Sequence, residues 1–286
     1  MIKEYLIEKG LKTINLILIL TFALLVIFLF NEAIPLIKDY GLINFIFGMN
    51  WAPDMNEFGI FPMIASSVII TLLSLIMAVP LSVSCAVYLE EIASDKIRQL
   101  FKPIIQTLAG IPSVIYGFFG LMVIAPFIRE NFHGSGFSIM TASTILAIMI
   151  LPTIISVSQD AIRSVSNSYK EASLGLGSTH WQVIRHIIFP QALPGIVVAI
   201  ILGVGRAIGE TLAVLMLVGN VGMIPTSLFD PARTLTSNIA LEMGYATGIH
   251  YNALFTTATV LFIIIFALML ISLIVQYKLR GVNNVS

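Results

Sequence analysis

The sequence predicts an all-α, polytopic membrane protein with about six transmembrane helices. Three observations predict it. Of 286 residues, 58% are hydrophobic and only 10% are charged, against about 45–50% and 25% in soluble domains. Mean hydropathy is +0.99, more apolar surface than a core of this size could hide. Six long apolar stretches stand at 13–30, 60–88, 103–128, 136–158, 191–219 and 252–277. Each meets or approaches the ~20 helical residues needed to cross ~30 Å of hydrocarbon.

The stretches form one membrane domain over 1–286, with no linker, low-complexity tract or repeat. The first reads as an uncleaved anchor: its apolar run from Ile14 to Phe30 outlasts a signal peptide's hydrophobic region, and no small-x-small site follows. The residues Asn31 to Gly59 read as an external loop, with Trp51 at headgroup level. The second, third and fourth stretches contain Pro80, Pro112, Pro126 and Pro152, which free carbonyls that neighbouring helices must satisfy. In the third, small residues Gly110, Ser113, Gly117 and Gly120 recur every three to four positions, leaving one face open to close approach.

Charge sets the expected orientation. Lys3, Lys9, Lys12, Lys96, Arg98, Lys102, Arg163, Lys170, Arg185, Lys278 and Arg280 fall on one set of flanks, eleven cations against Lys38, Arg129 and Arg233 on the other. By the positive-inside rule both termini are cytoplasmic, which requires an even number of crossings. Net charge is zero, so nothing points to nucleic acid. The single cysteine, Cys85, excludes an intrachain disulfide and a cysteine metal cluster. His133, His180, His186 and His250 form no H-x-x-x-H pair, so no metal site is expected.

Arg206 is the one Lys or Arg deep within a span, and Glu210 is its acidic counterpart. Four residues apart on one helix, they are expected to share a face. In hydrocarbon each charge would cost about 2.5–3.5 kcal/mol, so both should face protein or a hydrated path. Two readings stay open. The pair could neutralise itself and hold the bundle in register, although desolvation offsets much of the Coulomb gain. Alternatively, Arg206 contacts an anionic solute with its planar fork while Glu210 positions the guanidinium. Gly205 and Gly209 flank the pair in a G-x-x-x-G spacing that would admit a partner helix.

The longest loop on the basic side runs from about 160 to 190. Ser168-Tyr-Lys-Glu171 fits a capping box and predicts a helix from Ser168. Gly175 and Gly177 should end it. Ser178 should cap a second short helix, stopped before Pro190. The expectation is an elbow of two helices.

Glu171-Ala-Ser-Leu-Gly-Leu-Gly177, then nine residues, then Ile187-Ile-Phe-Pro190 resembles the EAA loop of ABC importer permeases. Ser173 and Phe189 are mild departures from that pattern. The resemblance implies a type I permease architecture in which Glu171, Ala172, Ser173 and Gly177 belong to a coupling helix seated in a cytoplasmic ATPase.

Gly110-Ile-Pro-Ser-Val-Ile-Tyr-Gly-Phe-Phe-Gly120, Gly205-Arg-Ala-Ile-Gly-Glu-Thr-Leu-Ala-Val-Leu-Met216, Trp51-x-Pro53 with Phe58-Gly59, and Thr234-Leu-Thr-Ser-Asn-Ile-Ala-Leu-Glu-Met243 are similar to phosphate importer permeases of the PstC type. That implies a heterodimer with a PstA-type permease, a PstB-type ATPase dimer and an external PstS-type phosphate-binding protein. It also implies that Arg206 and Glu210 act in phosphate translocation.

No G-x-x-x-x-G-K-[ST] occurs, so this chain cannot itself supply a P-loop; ATP and Mg are expected on the partner ATPase, and no cofactor on this chain. Gly203-x-Gly205 lacks the third glycine of a dinucleotide fingerprint. Three alternatives remain: a permease for sulfate or molybdate, an ion-coupled secondary transporter, and a membrane-embedded enzyme. The last needs a catalytic cluster at membrane depth, and the sequence offers none.

Overall fold

A computed structural model describes residues 2–132 and 134–283, with side chains over 8–132 and 134–277. His133 and the side chains of Lys3, Lys278 and Arg280 lie outside the described residues. Among those described, six helices are long and apolar enough to cross a membrane: Glu8–Asp39, Phe61–Ile92, Ser113–Phe132, Ile139–Arg163, His180–Gly209 and Ile249–Tyr277. They are called the first to sixth spans below. The chain divides into two compact units, Met1–Phe61 with Ile239–Phe262, and Pro62–Asn238 with Ile263–Ser286.

In the smaller unit the first span continues as helix to Asp39, past Pro35. Part of the expected external loop is therefore helical, and Glu32 lies within a span. The start of the sixth span packs beside it through polar ties: Asn252 donates to Glu32 O at 2.9 Å and Thr256 to Ala33 O at 3.5 Å. Such bonds hold helices together where lipid gives no hydrophobic drive.

A short helix, Leu42–Phe47, leads into a two-stranded hairpin pairing Trp51–Ala52 with Glu57–Phe58. The indole Nε1 of Trp51 donates to Glu242 Oε2 at 2.8 Å, and His250 Nε2 lies 2.8 Å from the same oxygen. Glu242 is buried, and a buried carboxylate needs such partners.

In the larger unit the fourth span is the most enclosed. Its Ser138 N-cap accepts from Thr141 N, and its buried face, Ile145, Leu146, Met149, Ile150 and Ile154, forms the centre of the core. The second span bonds to it through Ser74, whose hydroxyl reaches Ser143 O at 3.1 Å. The fifth span approaches it through Gly195 and Gly203: a Cβ at Gly195 would fall 2.5 Å from Ala161 Cβ, and one at Gly203 would fall 2.8 Å from Ile154 Cδ1. The expected G-x-x-x-G seam is elsewhere. A Cβ at Gly205 would meet only Met269 at 3.7 Å, and one at Gly209 would meet nothing within 4 Å.

The third apolar stretch is not one helix. A first helix, Asp95–Gly110, ends before Ile111 and Pro112, both extended, and a second starts at Ser113. Proline disfavours the α region for the residue before it, so Ile111 turns extended. Of the small residues beyond the break, Gly117 and Gly120 do serve close packing. A Cβ there would fall 2.8 Å from Met216 Sδ and 2.6 Å from Leu217 Cδ1.

Candidate substrate path and coupling elbow

Arg206 leaves the last turn of the fifth span, where a cation complements the partial negative charge of the helix end. Its Nη1 donates to Thr153 Oγ1 of the fourth span at 3.0 Å. The residue is half-buried, and one bond to Thr153 uses one of the five N–H donors of its guanidinium. Thr153 follows Pro152 in the middle of the fourth span. Sequence reasoning missed it because one threonine in an apolar helix carries no charge signal.

Glu210 does not share that helix face. The fifth span ends at Gly209, Glu210 is extended with φ −69° and ψ 131°, and a new helix, Leu212–Leu217, follows. The carboxylate turns forward: Oε1 accepts from Ala213 N at 3.2 Å. The expected pairing of Glu210 with Arg206 is thus corrected, for a physical reason. A carboxylate just ahead of a helix is favoured by its unpaired N–H groups and its dipole, so Glu210 serves the helix that follows. Its carbonyl accepts from Thr236 Oγ1 at 2.9 Å.

Two broken helices therefore flank this region. At the first break, Leu108 O accepts both Ile111 N at 3.4 Å and the Tyr116 hydroxyl at 2.8 Å. Irregular backbone at membrane depth is tolerated where protein or a hydrated cavity satisfies it.

The elbow forms as two helices, with both caps displaced from expectation. Ser166, not Ser168, caps the first helix, Asn167–Gly175, accepting from Ser168 N at 3.3 Å. Gly177, at φ +86°, turns the chain in the left-handed region where glycine is not strained. The second helix starts at His180 under a capping box of Thr179 and Gln182, not at Ser178. Nor does it stop before Pro190. A π turn over Ile184–Ile188, with Phe189 N bonding Ile184 O, shifts the backbone register ahead of the proline, and the helix runs on as the fifth span.

Glu171, Ala172 and Gly177 are exposed and Ser173 is half-buried. Around them Tyr169, Leu174, Leu176 and Trp181 are exposed at 56%, 46%, 89% and 62%. So many large apolar groups on one elbow mark an interaction surface.

Two ion pairs missed by sequence reasoning tie this loop to the end of the second span. Lys170 Nζ lies 2.5 Å from Glu91 Oε1, and Arg163 Nη2 lies 2.6 Å from Glu90 Oε1. The adjacent acids at the basic end of a span were the available signal.

Comparison with known proteins places this geometry. Residues 78–280 match the family model described as binding-protein-dependent transport system inner membrane component. A probable ABC transporter permease protein, YqgH of Bacillus subtilis, is 40% identical over 82% of this chain and 78% of its own. The phosphate transport system permease protein PstC of Mesorhizobium japonicum is 36% identical over 84% of this chain and 79% of its own. A solved chain of the inward-facing MetNI methionine ABC transporter superposes with a TM-score of 0.64 at 20% identity, over 80% of this chain and 99% of that one; it shares the fold. With six spans, two interrupted helices and an exposed apolar elbow, the chain belongs to the binding-protein-dependent transport system inner membrane components, the permeases of ABC importers.

Proposed function

We propose that this chain is the PstC-type permease subunit of an ATP-driven phosphate importer and forms half of its translocation path. Relatives described as phosphate permeases, 36% identical over 77% of this chain and 34% identical over 94% of it, support the substrate class. The partners are a PstA-type permease, a PstB-type ATPase dimer carrying ATP and Mg, and an external PstS-type phosphate-binding protein. The eleven-to-three asymmetry of flanking cations supports cytoplasmic termini.

The observation that carries the reading is the freedom of Arg206. Glu210, its nearest acid in sequence, binds Ala213 N instead, and among the described residues the guanidinium is held by the neutral Thr153 and pairs with no carboxylate. A cation so placed is costly in a dry interior and suits a path for an oxyanion, which it can grip through two parallel bonds.

As ATP closes the ATPase dimer, the Glu171 elbow moves with it. The fifth span, continuous with the elbow's second helix from His180 to Gly209, carries that motion to Arg206. Glu210 sets the position of the break and does not compete with phosphate. Reconstituted complex tested on a panel of oxyanions decides the substrate. Phosphate-selective uptake is expected; equal or better uptake of sulfate or molybdate would assign a different oxyanion.

A further inference from the structure

The face of the fourth span that holds Arg206 continues as a polar stripe toward the end carrying the elbow. Thr153, Ser156, Gln159 and Arg163 recur at three- to four-residue steps, so they line one helix face. The last three open into a cavity of about 490 Å³, closed on its other side by Arg98, Lys102 and Gln106 of the helix Asp95–Gly110. At about 30 Å³ per water, that volume accommodates a small oxyanion with hydration water.

Charge in the cavity is unequally committed. Three cations, Arg98, Lys102 and Arg163, face two acids, Glu90 and Asp160. Glu90, its side chain 6% exposed, is already held by Arg163 at 2.6 Å and by Gln159 Nε2 at 3.2 Å. Arg98 spends Nε and Nη2 on the carbonyls of Leu89 and Glu90, at 2.8 and 2.9 Å. These bonds fix the guanidinium against the cavity wall; its Nη1 also pairs with Asp95 Oδ1 at 3.1 Å, a carboxylate 85% exposed to solvent and outside the cavity lining, where water screens the pair. Lys102 is exposed and has no partner among the described residues. The side-chain amides of Gln99, Gln106 and Gln159 add neutral donors.

We propose that this cavity is a second oxyanion site, in which Lys102 and the fixed guanidinium of Arg98 hold a phosphate-type group. It rests on the importer reading for its direction, since it would be the station an anion reaches after Arg206 and before the cytoplasm. The same chemistry would accept the phosphate of an anionic lipid headgroup, and the experiment separates the two sources.

Ser156→Cys and, as a second reporter, Gln106→Cys are placed in a Cys85→Ser background of the assembled complex. The complex is reconstituted in phosphatidylcholine vesicles. Labelling at position 156 or 106 is read by mass spectrometry with two methanethiosulfonates of similar size, one sulfonated and one quaternary ammonium. The anionic reagent is expected to react about tenfold faster, as local positive potential concentrates anions, and the preference should shrink with added salt.

Lys102→Glu should reverse the order of the two reagents. Inorganic phosphate protecting the thiol in phosphatidylcholine vesicles assigns the free ion. Protection only by phosphatidylglycerol, without phosphate, assigns the headgroup. Equal rates for the two reagents at both reporters, or protection by neither phosphate source, would overturn the site. Labelling does not require transport, so that result would leave the importer reading standing.

Discussion

Lys170 of the elbow helix is ion-paired with Glu91 at the end of the second span, Nζ to Oε1 at 2.5 Å, with the carboxylate side chain only 6% exposed. The pair joins residues 79 positions apart and couples the surface that would meet the ATPase to a span that does not otherwise belong to the elbow. Lys170→Met leaves a buried carboxylate without its cation. Breaking such a pair costs about 3–5 kcal/mol when both groups are buried, and less here because Lys170 is 22% exposed. The expected results are a lower melting temperature for the complex and fewer solute molecules moved per ATP. Glu91→Lys with Lys170→Glu should recover much of both; no recovery by the exchange would mean the contact is incidental.

Glu210 as a helix cap makes a different prediction from Glu210 as the partner of Arg206. Glu210→Gln keeps an acceptor for Ala213 N and should retain most transport. Glu210→Ala removes the acceptor, costing about 0.5–1.5 kcal/mol for the lost hydrogen bond and loosening the break that presents Arg206. Measured uptake rates should therefore rank wild type, Gln, Ala. Equal loss in both variants would restore the charge-pair reading.

Glycine packing between the fourth and fifth spans predicts opposite outcomes at two positions. Gly195→Ala forces a Cβ to 2.5 Å from Ala161 Cβ, an overpacking expected to cost about 1–3 kcal/mol. Gly205→Ala places its Cβ at 3.7 Å from the tip of Met269, an ordinary contact, and should be neutral or stabilise the helix by about 0.5–1 kcal/mol. Thermal melts of the two variants in detergent compare them directly.

The turn at Asp230 should respond to acid. The Thr226 hydroxyl, then the Ser227 and Thr226 amides, donate to its carboxylate and hold its pKa below the ordinary 3.8. A depressed folded-state pKa contributes stability above the unfolded value and loses it as pH falls through the folded one. Hydrogen-exchange protection over 226–230, relative to the intrinsic rate at each pH, should therefore hold down to about pH 4 and fall below it. Asp230→Asn should already exchange faster at neutral pH. A loop indifferent to both changes would show that these bonds do not order it.

Much of the fold was legible because a bilayer imposes length and polarity on every span. The six stretches are consequences of that constraint, and the elbow was legible from its capping residues and from Gly175 and Gly177. The breaks were not legible. Pro112 was visible in the sequence, but a proline inside a span can kink a helix or end it, and Pro80 and Pro152 sit within continuous helices. The end at Gly209 depends on Glu210 turning its carboxylate to Ala213 and its carbonyl to Thr236, a contact 26 residues away. The G-x-x-x-G spacing at Gly205 misled for a similar reason: which glycines meet a neighbour depends on helix rotation, and here Gly195 and Gly203 face the fourth span.

The direct test of the central claim is phosphate uptake by the reconstituted complex carrying Arg206→Ala, with Arg206→Lys beside it and ATP hydrolysis measured in the same vesicles. A hydrogen bond to a charged group is worth about 1.5–3 kcal/mol, and about 1.4 kcal/mol corresponds to tenfold. Uptake should therefore fall tenfold to a hundredfold in the alanine variant and partly recover in the lysine one, while the complex still assembles and hydrolyses ATP. Uptake at the wild-type rate with alanine at position 206 would contradict the account.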